Sequence, residues 1–265
     1  MPETTDNIFV LVIIATAAIF LMVASFILIY IRNQNKLLQQ RQQLQQAALA
    51  HQKELLQVII ESQEDERVRI GRDLHDDVGA AISSLRLIIE MFKPAVADNN
   101  YQAFLKSSKN IIDKMMTDVR HISHNLSPTT LTYYGLGFAI EEQCAIINQS
   151  GKVKIAFNNE AAELLEKLSL PVSTALYRVL EELLNNTIKH ARAYNAILNF
   201  TADKNVLIIE YQDDGVGMDT RLINKGIGLH NIESRLTVIN APHEITTSPG
   251  NGFFINIIYT GPIAI

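Results

Sequence analysis

The chain contains one cysteine, Cys144, among its 265 residues, and its formal net charge is −5 at pH 7. A single cysteine excludes an intrachain disulfide framework and a zinc site built from several thiolates. The slightly acidic balance argues against a surface that binds nucleic acid, because such surfaces usually carry an excess of lysine and arginine. We therefore expect neither a disulfide scaffold nor direct nucleic-acid binding.

Charged residues are missing from Ile8 to Ile31, and nearly all of these residues are apolar. A helix of this length spans about 36 Å, enough to cross a hydrocarbon core of ~30 Å. Glu3 and Asp6 precede the run and basic residues follow it from Arg32 onward, the reverse of a signal peptide. The positive-inside rule then predicts a single-pass membrane protein with its N-terminus outside and everything after Arg32 in the cytoplasm. About seven residues would lie outside, so we expect the signal to arrive within the bilayer or through a partner membrane protein.

Proline and glycine are absent from Asn33 to Gln63, which predicts a continuous helix after the membrane span. The spacing of Leu44, Ala48, Leu55 and Ile59 fits a short, imperfect coiled coil. A solvated single helix is the alternative. In both cases this linker leads into the segment that follows.

The next segment, Glu66–Arg86, places His75 among charged residues on a helical stretch. Apolar residues recur at alternating spacings of four and three, as in a helix that packs against other helices: Leu74, Val78, Ala81, Leu85, Ile88 and Phe92. His75 lies one residue off this seam, so its imidazole is expected at the margin of a bundle. Gly71 and Gly79 share its face, although each glycine costs a helix about 1 kcal/mol. We expect them to clear space for a large group that reaches the ring.

A second amphipathic helix is expected after this one. Phe92–Pro94 ends the first helix, because proline cannot continue the hydrogen-bond ladder. The second helix runs to about Leu126, with these residues inward: Phe104, Ile111, Met115, Ile122 and Leu126. Two antiparallel helices bury little surface alone, so we expect a homodimer with a four-helix bundle.

From about Gly135 the pattern changes to mixed helices and strands. Strands are predicted at 152–158, 196–201, 206–212, 244–247 and 253–259, and helices at 172–191 and 229–239. Helices and antiparallel strands in this proportion predict a two-layer α/β sandwich.

Three motifs follow one another in this second part: Glu181–Ala191 on a helix, Asp213–Met218 after a strand, and Gly226–Leu229 before a helix. Their order resembles the N, G1 and G2 boxes of the GHKL ATPases, which bind ATP in the Bergerat fold. The upstream segment resembles the phosphoacceptor helix of bacterial sensor histidine kinases. The resemblance is closest to the His-Asp subfamily that includes the nitrate/nitrite sensors, at Glu66, Arg67, Arg69, Ile70, Arg72, Leu74, His75, Asp76 and Gly79.

The resemblance implies that His75 is the phosphoacceptor and that Asp76 is the acid/base residue beside it. Adjacent residues do not face each other on a helix, so Asp76 would reach the ring through its own rotamer or through water. In the same subfamily an amide side chain four residues after the acid helps to hold the water that dephosphorylates the regulator. Ala80 stands there instead, which predicts weak phosphatase activity.

The resemblance also assigns the ATP site. Asp213 would accept the adenine amino group, while Gly215 and Gly217 let the backbone pass close under the base. Gly226, Gly228 and Leu229 would place free amides at a helix N-terminus, where phosphate binds well.

The metal and the remaining phosphate contacts are assigned to the N box. Asn186 would bind Mg²⁺, and Glu182 would orient Asn186 or a metal-bound water. Lys189 and His190 would supply donors near the phosphates. Phe253 stands where threonine is common and is expected in a core strand, outside the site.

The fold expected from all of these features is membrane-anchored and multidomain. It comprises an outer N-terminus and transmembrane helix (1–31), a helical linker (32–63), dimerisation and phosphotransfer helices (64–130) and a Bergerat-type ATP-binding domain (131–265). The expected function is autophosphorylation of His75 from Mg-ATP. The phosphoryl group would then pass to an aspartate of a cytoplasmic response regulator with a DNA-binding output domain. Whether transfer occurs within a chain or across the dimer is left open.

Two alternatives compete with this prediction. A GHKL ATPase would hydrolyse ATP to drive a conformational change and form no stable phosphoprotein, but this leaves the His75 helix unexplained. A non-catalytic scaffold would dimerise through its helices and bind no ATP, although the nucleotide motifs are intact.

Overall fold

The computed structural model describes residues 3–91, 99–219 and 226–261. Within these ranges the side chains at 3–15, 17, 18, 99, 100 and 121 are not described. The predicted helix end at Phe92–Pro94 lies outside the described residues. The chain divides into two units, Met1–Leu55 and Leu56–Ile265.

The first unit belongs to helix α1, Glu3–Asp73, which confirms that the linker is helical throughout. Several linker leucines, among them Leu44 and Leu49, are exposed in the single chain. Among the described residues, no helix combines the length and the apolar character that crossing a membrane requires. The predicted transmembrane helix, Ile8–Ile31, lies partly outside the described side chains.

The second unit begins with the end of α1 and a helical hairpin. A π-helical turn, Leu74–Val78, separates α1 from α2, Gly79–Met91, and α3 follows at Asn99–Leu126. The two hairpin helices contact each other, and Ile82 of α2 and Ile112 of α3 are buried.

The seam predicted for these helices is largely uncovered in the single chain. Large parts of it are exposed: Val78, Leu85, Ile88, Phe104, Ile111, Met115 and Ile122. Ile112, next to the predicted Ile111, is a buried residue of α3 in the single chain, and the inward position of the predicted residues in a four-helix bundle stays a prediction. The exposed set is an apolar face that a second copy of the chain could cover.

The rest of the unit is a mixed sheet covered by helices. The strands are β1 Lys154–Asn159, β2 Asn195–Asp203, β3 Val206–Asp213, β4 His243–Thr247 and β5 Phe253–Tyr259, in the order β1-β2-β3-β5-β4. The helices are α4 Thr129–Gln149, α5 Ala162–Leu165, α6 Leu170–Asn186 and α7 Ile227–Val238, and a second π-helical turn, Thr187–Ala191, extends α6.

One strand pair departs from the antiparallel expectation, because β1 and β2 are parallel whereas the other three pairs are antiparallel. The reason is topological: β1 and β2 are joined by a crossover that contains α5 and α6, and a crossover allows a parallel pair.

Alternation along the strands builds the core. Leu207, Ile209 and Tyr211 of β3 point to the same face and are buried with residues of α4, α6 and α7. The helices thus pack on one face of the sheet, which confirms the two-layer sandwich. The carboxyl ends of α6 and β3 and the start of α7 surround the cavity described next.

Candidate active site

A cavity of about 370 Å³ lies where the end of α6, the end of β3 and the start of α7 meet. Most of the residues predicted to bind nucleotide line it: Glu182, Asn186, His190, Asp213, Gly217, Gly226, Gly228 and Leu229. Lys189 and Gly215 are the two predicted residues that do not. Sequence motifs that are separated by up to 47 positions, from Glu182 to Leu229, therefore meet in one wall.

Glu182 and Asp213 are two acidic residues that line the cavity, and of these Asp213 is buried, at 4% exposed. One carboxylate oxygen accepts the Gly215 amide at 2.9 Å, and the other accepts the Thr187 hydroxyl at 3.1 Å. Thr187 also shares a short hydrogen bond with the Tyr211 hydroxyl. Burial raises the pKa of Tyr211, so its hydroxyl stays protonated at neutral pH. An ionised carboxylate has about four acceptor positions, so Asp213 is held in place and can still accept a ligand amino group.

Gly215 and Gly217 make the turn after β3 possible in different ways. A Cβ at Gly215 would collide with the carbonyl oxygen of Ala191, which accepts the Val216 amide at 2.8 Å. Gly215 therefore lets the end of the second π-helical turn pack against this loop. Gly217 has φ 59°, and a Cβ there would collide with the backbone of Ser248.

The other end of the cavity is built around the first turn of α7. A Cβ at Gly228 would collide with the Glu182 carboxylate and lie 3.4 Å from the Asn186 amide nitrogen. Glu182 and Asn186 thus lie against the N-terminus of α7, whose partial positive charge favours anions.

The donor set at this end fits Mg²⁺, which accepts a few protein oxygens and takes the rest from phosphate and water. Glu182 and Asn186 offer one carboxylate and one amide oxygen close together. Among the described residues, no group of three or more His, Cys, Asp or Glu side chains could hold a metal without such help. The site therefore fits a metal that arrives with a phosphate ligand.

The second π-helical turn, Thr187–Ala191, carries the last residues of the N box. It places His190 in the wall and leaves Lys189 outside it. Arg192 ends the turn in the left-handed conformation, with φ 52°. Such π-helical turns often occur at functional sites, because they reorient side chains within a helix.

Several wall residues were missed by the sequence prediction: Leu183, Thr187, Ala191, Tyr211, Met218, Ile227 and Phe253. Phe253 was expected in a strand outside the site. It does begin β5, but the pairing of β5 with β3 places it opposite Asp213. The position of Phe253 in the cavity wall therefore follows from strand register, which short sequence motifs do not specify. Alternation along β3 could have identified Tyr211, because it lies two residues before Asp213 on the same face.

His75 lies on the first π-helical turn, and its side chain is 67% exposed, as predicted for a residue at the bundle margin. Its Nδ1 lies 2.9 Å from Oδ1 of Asp76. This contact answers the geometric objection to neighbouring residues, since the Asp76 carboxylate reaches the ring directly. If Nδ1 carries the proton, Nε2 presents its lone pair to solvent.

The two glycines near His75 differ from each other. A Cβ at Gly79 would meet nothing within 4 Å, so the expectation of cleared space fits this position. At Gly71 a Cβ would lie 3.1 Å from the Ser123 carbonyl oxygen and 3.2 Å from the Ser127 Cβ. The Ser123 hydroxyl also donates to the Gly71 carbonyl at 2.7 Å. Gly71 thus allows α1 to pack closely on α3, and it also lines a cavity of about 570 Å³ together with His75.

Family comparison matches residues 66–131 to HisKA_3, described as histidine kinase. The sensor histidine kinase MctS of Rhizobium johnstonii is 28% identical over 190 residues, 69% of this chain and 41% of that protein. ComP of Bacillus subtilis, a sensor histidine kinase, is 28% identical over 74% of this chain and 26% of its own length. The oxygen sensor histidine kinase NreB of Staphylococcus carnosus is 24% identical over 81% of this chain and 62% of its own length.

The chain thus spans between 26% and 62% of the length of these relatives. Among solved structures, a histidine kinase domain from a blue-light activated kinase of Erythrobacter litoralis aligns with a TM-score of 0.44 and 14% identity. That alignment covers 68% of this chain and 95% of the other.

Proposed function

Because the chain belongs to the bacterial sensor histidine kinases of the HisKA_3 type, we propose that it phosphorylates its own His75 from Mg-ATP. The observation that carries this proposal is the 2.9 Å contact between His75 Nδ1 and Asp76. It gives the histidine an adjacent proton acceptor and leaves Nε2 free to act as nucleophile. A GHKL ATPase that only hydrolyses ATP has no use for this pair.

The cavity residues bind and orient the nucleotide in this proposal. Asp213 accepts a hydrogen bond from the adenine amino group, and Phe253 and Met218 contribute apolar side chains to the cavity wall. The α7 N-terminus at Gly226 and Gly228 binds the phosphates, and His190 donates to them. Asn186 and Glu182 hold Mg²⁺, which neutralises charge on the phosphates. Phosphoryl transfer depends mainly on such positioning and neutralisation.

At His75 the Nε2 lone pair forms the bond to the γ-phosphorus while the bond to the bridging oxygen breaks and ADP leaves. The ring becomes positively charged as this bond forms, and Asp76 takes the Nδ1 proton. The phosphoryl group then passes from Nε2 to an aspartate carboxylate of a cytoplasmic response regulator, whose output domain we expect to bind DNA. The chain itself binds no nucleic acid in this scheme.

The test is incubation of the purified full chain with γ-labelled ATP and Mg²⁺. We expect acid-labile, base-stable label on the wild type and none on His75→Gln. His51→Gln is the matched control, because His51 is an exposed helix histidine and should keep full labelling. Phosphate release without protein label would favour the ATPase alternative.

We also propose that Ile8–Ile31 attaches the protein to the bacterial inner membrane, with the N-terminus outside. The support is the uncharged apolar sequence and the basic residues that follow it. Alkaline extraction of cell membranes tests this proposal. Release of the full chain into the soluble fraction would contradict it.

Weak phosphatase activity is proposed from Ala80. Ala80 lines a cavity of about 380 Å³ with His75, Asp76 and Ser83, so the residue is well placed but has no polar atom. The Ser83 hydroxyl donates to the Gly79 carbonyl at 2.8 Å, which reduces its capacity to replace an amide. We expect Ala80→Gln to increase dephosphorylation of a phosphorylated regulator. Rapid dephosphorylation by the wild type, unimproved by glutamine, would contradict this.

A further inference from the structure

The side chain of Arg178 on α6 is 2% exposed, and it connects the ATP-binding domain to the end of α1. Its NH2 nitrogen donates to Oε1 of Glu64 at 2.6 Å, and its Nε nitrogen donates to the same carboxylate at 3.1 and 3.2 Å. Its NH1 nitrogen donates to Glu181 at 2.9 Å. A bidentate pair of this kind has fixed geometry, because the guanidinium is planar.

The same guanidinium also binds the end of α3. NH1 donates to the carbonyl of Asn125 at 2.9 Å, and NH2 donates to the carbonyl of Leu126 at 2.8 Å. These are carbonyls of the last turn, which lack partners within the helix. With Glu64 and Glu181 they engage all three guanidinium nitrogens, so one side chain joins α1, α3 and α6.

The charges around Arg178 balance only while these elements stay together. Burial by itself lowers the pKa of Arg178, but the hydrogen bonds and charges of Glu64 and Glu181 outweigh it, and the pKa is raised. Arg235 of α7 lies 3.9 Å from the Glu64 carboxylate. Removing Glu64 would leave two buried cations beside one remaining carboxylate, Glu181, and such an arrangement is strongly unfavourable.

The contacts of Arg178 hold an arrangement in which the nucleotide cavity is separate from the phosphoacceptor, His75. The cavity walled by Asp213 and Asn186 shares no residue with either described cavity that His75 lines. Within one chain, a nucleotide in the first cavity therefore does not share a wall with the phosphoacceptor. The ATP-binding domain must change position, or act on another copy, before phosphate reaches Nε2.

We propose that the contact between Glu64 and Arg178 is a latch that holds the ATP-binding domain in a non-transferring position, and that movement of α1 opens it. The latch rests on the proposed kinase function, whose regulation it describes. Glu64 lies on α1, eleven residues before His75. A rotation of α1 by one residue turns a side chain by about 100°, and a shift by one turn moves it ~5.4 Å. Either movement takes the carboxylate out of hydrogen-bond reach of Arg178.

The test compares Glu64→Gln with Asp65→Asn in the purified full chain. Glutamine keeps the shape of Glu64 and removes its charge. Asp65 is exposed and has no hydrogen bond or ion pair with the described residues, so Asp65→Asn is the matched control. We expect Glu64→Gln to increase the initial rate of His75 labelling about fivefold or more, within the usual range of coupling between sites. Asp65→Asn should label at the wild-type rate.

Hydrogen–deuterium exchange supplies a readout that does not depend on kinase activity. In Glu64→Gln we expect faster exchange in peptides that cover 123–131 and 173–186, where Arg178 joins α3 to α6. Unchanged exchange would overturn the latch even if labelling changed. Slower labelling with faster exchange would also overturn it, because the contact would then position the domain for transfer.

A second variant, Glu64→Asp, tests the latch if Glu64→Gln cannot be used. If Glu64→Gln does not fold, Glu64→Asp keeps the charge but shortens the reach, and it should show the same two effects to a smaller extent. Wild-type behaviour of Glu64→Asp in both measurements would overturn the latch. If exchange rises in the variants but no protein is labelled, the proposed kinase function is wrong and the interdomain contact is confirmed.

Discussion

At the scale of single residues, the contact between His75 and Asp76 has the clearest chemical consequence. The carboxylate is exposed and lies 2.9 Å from Nδ1, so it can accept the proton that the ring loses on phosphorylation. We expect Asp76→Asn to lower the labelling rate about 10²- to 10⁴-fold, the usual contribution of a general base. ATP affinity should stay unchanged, because Asp76 does not line the nucleotide cavity. Labelling assays and equilibrium binding of ATP measure the two effects.

Asp77→Asn is the control for this prediction. Asp77 carries the same charge on the same turn, but no contact with the His75 ring is described for it. An equal loss in Asp77→Asn would show that local negative charge matters and that the specific contact with Asp76 does not.

Substitutions of Asp213 and Asn186 should weaken nucleotide binding at the same cavity in different ways. Asp213→Asn replaces an acceptor oxygen with an amide donor, so it should weaken ATP binding and reduce selectivity for adenine over guanine. Asn186→Ala should weaken binding only when Mg²⁺ is present, because Asn186 lies at the phosphate end beside Gly228. Titration of ATP and GTP with and without Mg²⁺ separates the two roles. Unchanged affinity in both variants would contradict the assignment of the cavity.

At the scale of elements, Gly71 and Gly79 form a matched pair within one helical stretch. Alanine improves helix propensity at an exposed position by about 1 kcal/mol. Gly79 has open space and helical φ, so Gly79→Ala should raise the free energy of unfolding. Gly71→Ala should have a lower free energy of unfolding than Gly79→Ala, because the methyl group added at position 71 would press on the backbone of α3 at 3.1 Å. Denaturant unfolding of both variants measures the difference, and equal stabilisation would contradict the packing role of Gly71.

The two π-helical turns show where sequence patterns stop being sufficient. The apolar period of α1 and the N-box helix identified both helices, because burial repeats every three to four residues. Each helix changes to a π-helical turn where its predicted site residues lie, at Leu74–Val78 and at Thr187–Ala191. This change places Lys189 outside the cavity wall although His190, its neighbour, lies within it. A periodic pattern assumes constant geometry and cannot predict such a turn.

At the scale of the whole molecule, the sequence predicted which motifs meet but not how the parts contact one another. Glycine motifs at helix and strand ends carry their own local geometry, so the N, G1 and G2 boxes could be placed before the fold was known. Phe253 enters the wall through strand register, and Arg178 meets Glu64 across 114 positions of the chain. Both contacts depend on tertiary packing, which leaves no periodic trace in the sequence.

The exposed apolar face of the helical hairpin leads to a prediction for the assembly. Leu85 and Leu87 are both exposed leucines of α2, but they lie about 160° apart around the helix axis. Leu85 belongs to the face with Val78 and Ile88 that a second copy could cover, and Leu87 points away from it. We expect Leu85→Glu to raise the dimer dissociation constant about 100-fold or more, because burying an unpaired carboxylate costs several kcal/mol.

Leu87→Glu should leave the dimer intact, since its carboxylate would stay in water. Light scattering of the full chain across a concentration series measures both variants. Nucleotide binding should survive in Leu85→Glu, because no described residue of the helical hairpin lines the cavity. If His75 labelling also survives in the monomer, transfer occurs within one chain. If labelling is lost and returns on mixing His75→Gln with Asp213→Asn, one copy phosphorylates the other. Equal dissociation of Leu85→Glu and Leu87→Glu would place the dimer interface elsewhere.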